Sequence, residues 1–256
     1  MKKLLLATAA VFALAAGSAS AADLAKPVYK AAPPPAPVSS WTGCYVGAGG
    51  GYGMYDIKSQ QINGAPLALT IDQGGRGGFG TVQVGCDVQA SPSFVIGAFA
   101  DWDWSGIRGD FTGGGGSVGL DTGELRLRHS WAAGGRVGWL VTPQFLTFVS
   151  GGYTQARFSG VTYARLAGPV DVSLSAATYS GYFIGSGVEY NFGWHPNLTW
   201  RTEYRFADYR SKDVAEFTTS TGALTGNVSR NHPYVQTIRS ELVWRFNWGG
   251  PVVAKY

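Results

Sequence analysis

The sequence is poor in charge and has no long apolar run. Charged side chains make up only 14% of its 256 residues, against about 25% in a typical soluble domain. No apolar stretch reaches the ~20 residues that a membrane-spanning helix needs. The basic residues behind the net charge of +4 form no run of five or more, which argues against a nucleic-acid partner. These absences exclude a chain that crosses a membrane with helices and disfavour an ordinary soluble domain.

Cysteine and histidine are also scarce. The two cysteines are Cys44 and Cys86, and the three histidines, His129, His195 and His232, have unrelated spacings. Metal sites in proteins usually draw several such ligands from a regular spacing. We therefore expect neither a metal site nor a bound cofactor.

Glycine and aromatic residues are abundant instead. The chain has 38 Gly, 9 Trp, 13 Tyr and 13 Phe, and 45% of its residues are hydrophobic. Aromatic side chains favour strands, and glycine favours turns. This composition predicts a protein built of β-strands.

The N-terminal segment has the three parts of a secretory signal peptide. A positively charged start is followed by the apolar run Leu4–Ala16 and by the small-residue pattern Ala19-Ser20-Ala21. We predict a signal peptide over 1–21, with cleavage between Ala21 and Ala22. The apolar run is too short to serve as a membrane anchor.

The next segment, 22–40, contains the run Pro33-Pro34-Pro35-Ala36-Pro37. Such a proline-rich stretch forms neither helix nor strand, so we expect an extended lead on the periplasmic side. From Trp41 onward the sequence alternates between apolar and polar residues in short segments separated by turn signals.

Eight alternating segments follow, joined by connections that are short and long in turn. The segments are approximately 41–54, 77–89, 94–105, 125–141, 145–158, 179–192, 198–209 and 233–246. Short periplasmic turns, long extracellular loops and an even strand number are typical of outer-membrane barrels. The sequence therefore predicts an all-β fold, an eight-stranded antiparallel up-and-down transmembrane β-barrel over 41–246, with a C-terminal extension over 247–256.

The two faces of each segment differ in chemistry. Successive strand residues point to opposite faces, so Trp200, Tyr204 and Phe206 share one face, and the charged residues between them share the other. Aromatic residues near strand ends are typical of the girdles at membrane interfaces. A narrow barrel fills its interior with side chains, where glycine makes room for long charged ones.

Strand parity predicts a charge network in the lumen, with six acids matched by six arginines. The predicted residues are Asp87, Asp101, Asp103, Glu189, Glu203 and Glu241 with Arg136, Arg157, Arg201, Arg205, Arg239 and Arg245. Unpaired charges in a narrow interior are costly to desolvate, so we expect them to pair. A turn centred on residue 195 places Glu189 directly opposite Arg201.

The register of the first hairpin bears on the cysteines. If that hairpin is centred on residue 65, Cys44 and Cys86 lie opposite each other on the outward face. A cross-strand disulfide is then within reach. Two free thiols that face lipid are equally compatible with the sequence.

Several short motifs resemble those of a known family. They are Ala22-Asp23-Leu24, the proline-rich lead, Trp41-Thr42-Gly43-Cys44-Tyr45-Val46-Gly47, Gly187-Val188-Glu189-Tyr190 and Trp244-Arg245-Phe246. In order and spacing the chain is similar to small outer-membrane immunogenic proteins with an OmpA-type eight-stranded membrane domain. Cys44 stands where that family usually has a large aromatic residue. Such chains normally end on an aromatic assembly signal, which leaves Phe246 and Tyr256 as two candidates.

The resemblance implies a non-enzymatic protein of the cell outer membrane that supports the envelope and presents surface loops. Its expected partners are outer-membrane lipid, lipopolysaccharide and the insertion machinery, and a monomer is favoured. One alternative is a small-solute porin, although open channels come with more strands. A second alternative is a lipid-modifying enzyme at the barrel rim, for which His129 with Ser130, or His232, are the candidates.

Overall fold

A computed structural model describes residues 40–62, 70–112, 122–164 and 171–246. The predicted signal peptide, with its cleavage between Ala21 and Ala22, lies outside the described residues. So do the lead, apart from Ser40, and the C-terminal extension. These three segments stay predictions.

Twelve strands run through the described residues, and all their pairings are antiparallel. In chain order they are β1 Gly43–Gln61, β2 Thr70–Gln89, β3 Phe94–Ser105, β4 Arg108–Thr112, β5 Thr122–Thr142, β6 Phe145–Phe158, β7 Val161–Ala164, β8 Asp171–Leu174, β9 Ala177–Asn191, β10 Leu198–Tyr209, β11 Lys212–Thr218 and β12 Leu224–Phe246.

Eight of these strands close into a ring. The order is β1-β2-β3-β5-β6-β9-β10-β12, and β12 returns to pair with β1. The closing ladder runs from Cys44 opposite Phe246 to Gln61 opposite Ser229. Closure leaves no open edge among the eight strands, so their backbone groups pair within the ring. The predicted eight-stranded antiparallel barrel is confirmed.

Three connections that the sequence analysis treats as loops contain strands. β4 lies between β3 and β5, β7 and β8 lie between β6 and β9, and β11 lies between β10 and β12. β12 is long enough to pair with β10 near one end and with β11 near the other, and β8 and β7 then continue the sheet beyond the ring. Backbone groups need partners, and the long ring strands provide edges for these short strands.

The outer face of the ring is apolar between two aromatic zones. Ile184 and Val149 are about three-fifths exposed in its middle. Near the short turns the outward aromatic residues include Phe94, Trp139, Tyr190, Trp200 and Trp244, and toward the long connections they include Trp102, Trp104, Tyr153, Tyr182 and Tyr204. Two aromatic zones separated by an apolar band match the girdles of a barrel in a bilayer.

The two ends of the barrel give a test of orientation. An epitope tag inserted at Gly222, in the turn between β11 and β12 where φ is +67°, should be reached by antibody on intact cells. A tag in the short turn at Pro92 should react only after lysis, because short turns face the periplasm. Immunofluorescence of both strains makes the comparison. The opposite pattern would reverse the orientation.

Candidate functional site: a charged lumen

Among the described residues, strand parity turns eleven charged side chains of the eight ring strands into the barrel, and each is at most 6% exposed. They are Asp87, Asp101, Asp103, Arg136, Glu189, Arg201, Glu203, Arg205, Arg239, Glu241 and Arg245. Burying this many charges is expensive unless they are paired and hydrogen-bonded. Their contacts therefore determine what the lumen does.

Glu189 on β9 is the centre of the lower network. One carboxylate oxygen accepts hydrogen bonds from Arg136 and Arg201, each at 2.9 Å. The other accepts from Arg245 and from the hydroxyl of Thr199, each at 2.6 Å. Arg201 is also the direct strand partner of Glu189. One carboxylate thus joins three guanidiniums from three different strands.

Asp87 on β2 holds two of the same arginines from the other side of the bore. Arg136 donates to both oxygens of Asp87, with Nε at 2.9 Å from Oδ1. Arg245 donates to Oδ2 at 2.7 Å. Asp87 and Glu189 therefore share Arg136 and Arg245, and the four side chains link β2, β5, β9 and β12 across the lumen.

A second network lies nearer the long connections. Arg205 donates to both oxygens of Asp101 at 2.9 and 3.1 Å and to Glu203 at 3.0 Å. Arg239 donates to Asp103 at 3.0 Å and lies 3.3 Å from Asp101. Two arginines thus serve three carboxylates. The Nη1 atom of Arg205 serves both oxygens of Asp101 while Nη2 serves Glu203, and such charge-assisted hydrogen bonds are stronger than neutral ones.

Aromatic rings stack against the guanidiniums. The ring of Tyr45 lies 4.6 Å from the guanidinium of Arg201 and 5.1 Å from those of Arg136 and Arg245. Arg205 lies 4.2 Å from the ring of Phe183. These cation–π contacts stabilise the buried arginines. They also fill the space between the ion pairs.

Above the charged networks the interior becomes apolar. The buried side chains there include Tyr55, Ile57, Ile107, Phe111, Leu125, Leu127, Phe158, Leu174, Tyr179 and Val214. The hydroxyl of Tyr55 donates to the carbonyl oxygen of Leu125 at 2.8 Å. The lumen therefore has a charged section and an apolar section, and side chains fill both.

Arg157 does not belong to the lumen, so its prediction was wrong. On β6, Thr154, Ala156 and Phe158 are buried, and Arg157 between them is exposed on the outer face. The strand alternates strictly, and Arg157 has the outward parity. In the part of the chain that the structure describes, the lumen network of the ring strands therefore contains six carboxylates against five arginines and not six against six.

Glu241 is the carboxylate left with the weakest support. Its side chain is buried, yet within the described residues neither oxygen has a hydrogen-bond partner. The guanidinium of Arg201 lies 3.8 Å away. Arg201 stands between Glu189 on β9 and Glu241 on β12 in the ladder, and its hydrogen bond goes to Glu189. Glu241 is therefore the lumen carboxylate that the arginines compensate least.

The sequence model of the outer membrane protein beta-barrel domain family matches residues 7–246 of the chain. The chain belongs to this family. Localisation in the cell outer membrane, predicted from the sequence, is confirmed with it. The described residues contain no helix long and apolar enough to cross a bilayer.

Two relatives of this outer membrane β-barrel protein carry corresponding names. The 31 kDa outer-membrane immunogenic protein of Brucella melitensis biotype 1 is 29% identical over 233 residues, which is 84% of this chain and 90% of the relative. The 22 kDa outer membrane protein of Rhizobium leguminosarum bv. viciae is 32% identical over 182 residues, 70% of each chain. The resemblance to outer-membrane immunogenic proteins is confirmed.

Solved barrels also match this family member at low sequence identity. OprG from Pseudomonas aeruginosa has a TM-score of 0.46 at 12% identity, covering 80% of this chain and 97% of OprG. Ail from Yersinia pestis, solved with the heparin analogue sucrose octasulfate, has a TM-score of 0.38 at 12% identity, covering 79% of this chain and 99% of Ail.

The candidate pair His129 and Ser130 lies on opposite faces of the barrel wall. His129 stacks on Trp102 outside the barrel, whereas Ser130 donates to Asp103 inside it. His232 lies 2.8 Å from Asp208, a distance that joins the His232 Nε2 and Asp208 Oδ1 atoms. Within the described residues, no group of three His, Cys, Asp or Glu side chains is placed to hold a metal ion.

The two cysteines of the barrel form a disulfide between β1 and β2. Cys44 and Cys86 are direct strand partners, and their sulfur atoms are bonded. The bridge lies on the outer face near the periplasmic end. It joins two neighbouring strands that already share a long ladder.

The bridge can be tested by its thiol chemistry. Protein extracted from the envelope without reductant should show no reaction with a maleimide, and reduction under denaturing conditions should release two reactive thiols. Mass spectrometry of the alkylated chain counts them. A Cys44→Ala variant serves as the control, because it should expose one thiol without reductant. Two reactive thiols in the unreduced wild type would contradict the bridge.

Proposed function

We propose that this chain is a non-enzymatic structural protein of the outer membrane, a plugged barrel that supports the envelope and presents surface loops. The observation that carries the proposal is the filled lumen. Eleven buried charged side chains and an apolar cluster occupy the interior. Eight strands leave an interior just wide enough for side chains.

The charged section supports a closed rather than a conducting bore. Arginines that are held by carboxylates on opposite strands cannot swing aside without breaking several charge-assisted hydrogen bonds. A cavity of about 20 Å³ beside Asp101 and Arg205 has room for about one water molecule. This arrangement favours a plug over an aqueous pathway.

The end of the barrel that carries the long connections supports a role in presenting surface loops. β11, β8 and β7 extend the sheet beyond the ring at the end with the long connections. The Brucella relative is named an immunogenic protein, which fits a surface that antibodies reach. From these two observations we infer that this chain also presents loops at the cell surface.

The plugged barrel and the small-solute porin differ in the current that they predict, and the plugged barrel predicts none. In a planar bilayer, the refolded protein should give no discrete current steps at 100-fold the concentration at which a general porin of about 16 strands conducts. Single-channel recording in 1 M KCl makes the measurement, with the porin as positive control and detergent buffer as blank. Steps of uniform size that scale with the amount of barrel would favour the small-solute porin.

The enzymatic alternative is tested with the same preparation. Incubation with radiolabelled phospholipid or lipopolysaccharide should leave both substrates unchanged on thin-layer chromatography. If a product forms, its loss in His232→Ala but not in His129→Ala would assign it to the His232–Asp208 pair. Turnover that survives both substitutions would indicate a contaminant or another site.

A further inference from the structure

The exposed basic residues that the structure describes lie toward one end of the barrel. Within the described residues, every exposed Lys or Arg is in the half that carries the long connections. They are Lys58, Arg76, Arg108, Arg126, Arg128, Arg157, Arg210, Lys212 and Arg230. Arg230 is held by hydrogen bonds to Asp213, which lower the pKa of that carboxyl. The outer surface is thus positively charged at one membrane interface and not at the other.

Three of these arginines form a row across neighbouring strands. Arg76 on β2 is the direct partner of Arg108 on β4, and Arg108 is the direct partner of Arg126 on β5. All three are exposed on the outer face. Directly opposed side chains have Cβ atoms about 5 Å apart, so three guanidiniums occupy one compact area. Arg128 and Arg157 lie beside it.

The row carries an unfavourable arrangement of charge. Like charges directly opposite each other destabilise a strand pair. Within the described residues, Glu124 forms the row's one ion pair, with Arg126. Asp110 stands opposite Glu124, two residues further from the membrane, so the acids form a row of their own. Exchanging an acid with an arginine would bring unlike charges directly opposite each other, whereas the observed arrangement leaves three arginines facing one another and favours an external anion at the arginine row.

The height of the row indicates which anion this is. Trp104 is the partner of Gly80 and belongs to the aromatic zone near the long connections. Arg76 lies four residues beyond Gly80 along β2, which is about 13 Å of strand. Aromatic girdles mark the membrane interface. The arginine row therefore lies just above the apolar band, at the level of the lipid headgroups of the outer leaflet.

We propose that Arg76, Arg108 and Arg126 form a binding site for the phosphate groups of an anionic glycolipid in the outer leaflet, with Arg128 and Arg157 at its border. Guanidinium forks match phosphate oxygens in a bidentate manner. The acyl chains of the same lipid lie on the apolar wall below. This site rests on the membrane location and is independent of whether the barrel conducts.

The test compares two variants that lose the same charge. The triple variant Arg76→Gln/Arg108→Gln/Arg126→Gln removes the row, and Lys58→Gln/Arg210→Gln/Lys212→Gln removes three positive charges elsewhere on the outer face. Refolded proteins are titrated with lipopolysaccharide and with the same glycolipid after enzymatic removal of its phosphates. Heat-modifiable gel mobility verifies that each barrel is folded.

We expect the row variant to bind the phosphorylated glycolipid about tenfold more weakly than the wild type, and the control variant to bind within about twofold of it. The wild type should lose a similar factor when the phosphates are removed. Inorganic phosphate at equal concentration should not compete, because it lacks the acyl chains. Effective competition by inorganic phosphate would mean a free-anion site and would overturn the lipid assignment.

Two further results would overturn the proposal. One is equal affinity of the row variant and the control variant for the phosphorylated glycolipid, which would show that binding depends only on the net charge of the outer face. The other is unchanged wild-type affinity for the dephosphorylated glycolipid. If the glutamine variant does not fold, the corresponding triple arginine-to-lysine variant keeps the charge and loses the fork. It should bind several-fold more weakly than the wild type, and wild-type affinity in that variant would contradict guanidinium recognition of phosphate.

Discussion

Glu189→Gln should lower the free energy of unfolding by about 3–5 kcal/mol, because the change leaves buried guanidiniums short of a counter-charge. Glu189 accepts hydrogen bonds from Arg136, Arg201 and Arg245. A neutral amide keeps the volume, but it has only one acceptor oxygen and its NH₂ group faces donors. Asp87 still holds Arg136 and Arg245, so Arg201 loses most.

Glu241→Gln is the matched control for that variant. The same substitution is made at a buried glutamate that is also a direct partner of Arg201. Its oxygens have no hydrogen-bond partner within the described residues, and the network has one carboxylate in excess. We expect the free energy of unfolding to stay within about 1 kcal/mol of the wild type, or to rise.

The coupling between Glu189 and Arg201 follows from a double-mutant cycle. Arg201→Gln alone should cost about 3 kcal/mol, and the double variant should cost less than the sum of the single losses by at least about 1 kcal/mol. Urea unfolding, followed by the mobility of the unboiled barrel on a gel, measures each variant. Additive losses, or equal losses for Glu189→Gln and Glu241→Gln, would show that the network is not organised around Glu189.

The eight ring strands and the faces of their residues were predictable because they depend on local rules. Alternation has a period of two, so Trp200, Arg201 and Trp139 each reveal their face from their immediate neighbours. Turn spacing then sets the register of each hairpin, which placed Glu189 opposite Arg201 and Cys44 opposite Cys86. A closed barrel follows from eight such strands in a bilayer.

The missed strands have a different cause. β4, β7, β8 and β11 have only four to seven residues each, and their pairing depends on how far the ring strands extend. The four residues of Val161–Ala164 are too few to show a periodicity, and they carry no information on the length of the neighbouring ring strands. Arg157 was assigned to the wrong face, although the apolar side chains of its neighbours Ala156 and Phe158 indicate that it points outward.

Side-chain contacts between strands that are not neighbours could not be predicted from alternation or turn spacing. Arg136 and Asp87 lie on strands separated by β3, and Arg245 meets Glu189 across β10. Ladder register does not report such pairs, because they depend on the diameter and on side-chain length. The sequence therefore predicted most of the residues in the lumen, but it did not predict which of them pair across the lumen or that they form two separate networks.

Glycine provides the space that these charges occupy. Gly97 on β3 lies between Asp87 on β2 and Arg136 on β5 in the ladder. A Cβ atom at Gly97 would overlap the Oδ1 atom of Asp87 and stand 2.9 Å from the carbonyl oxygen of Cys86. Gly185 has a similar role, since its Cβ would lie 2.7 Å from Glu203. At these two positions a methyl group competes with a carboxylate.

Gly97→Ala should therefore destabilise the barrel by about 3 kcal/mol or more, through overpacking and through displacement of Asp87 from Arg136. Gly80→Ala on β2 is the control, because a Cβ atom there meets nothing within 4 Å, and it should change the free energy of unfolding by less than about 1 kcal/mol. Urea unfolding of refolded barrels compares the two. Equal stability of both variants would mean that Asp87 relaxes freely, and a carboxylate that moves without cost does not hold the lower network across the lumen.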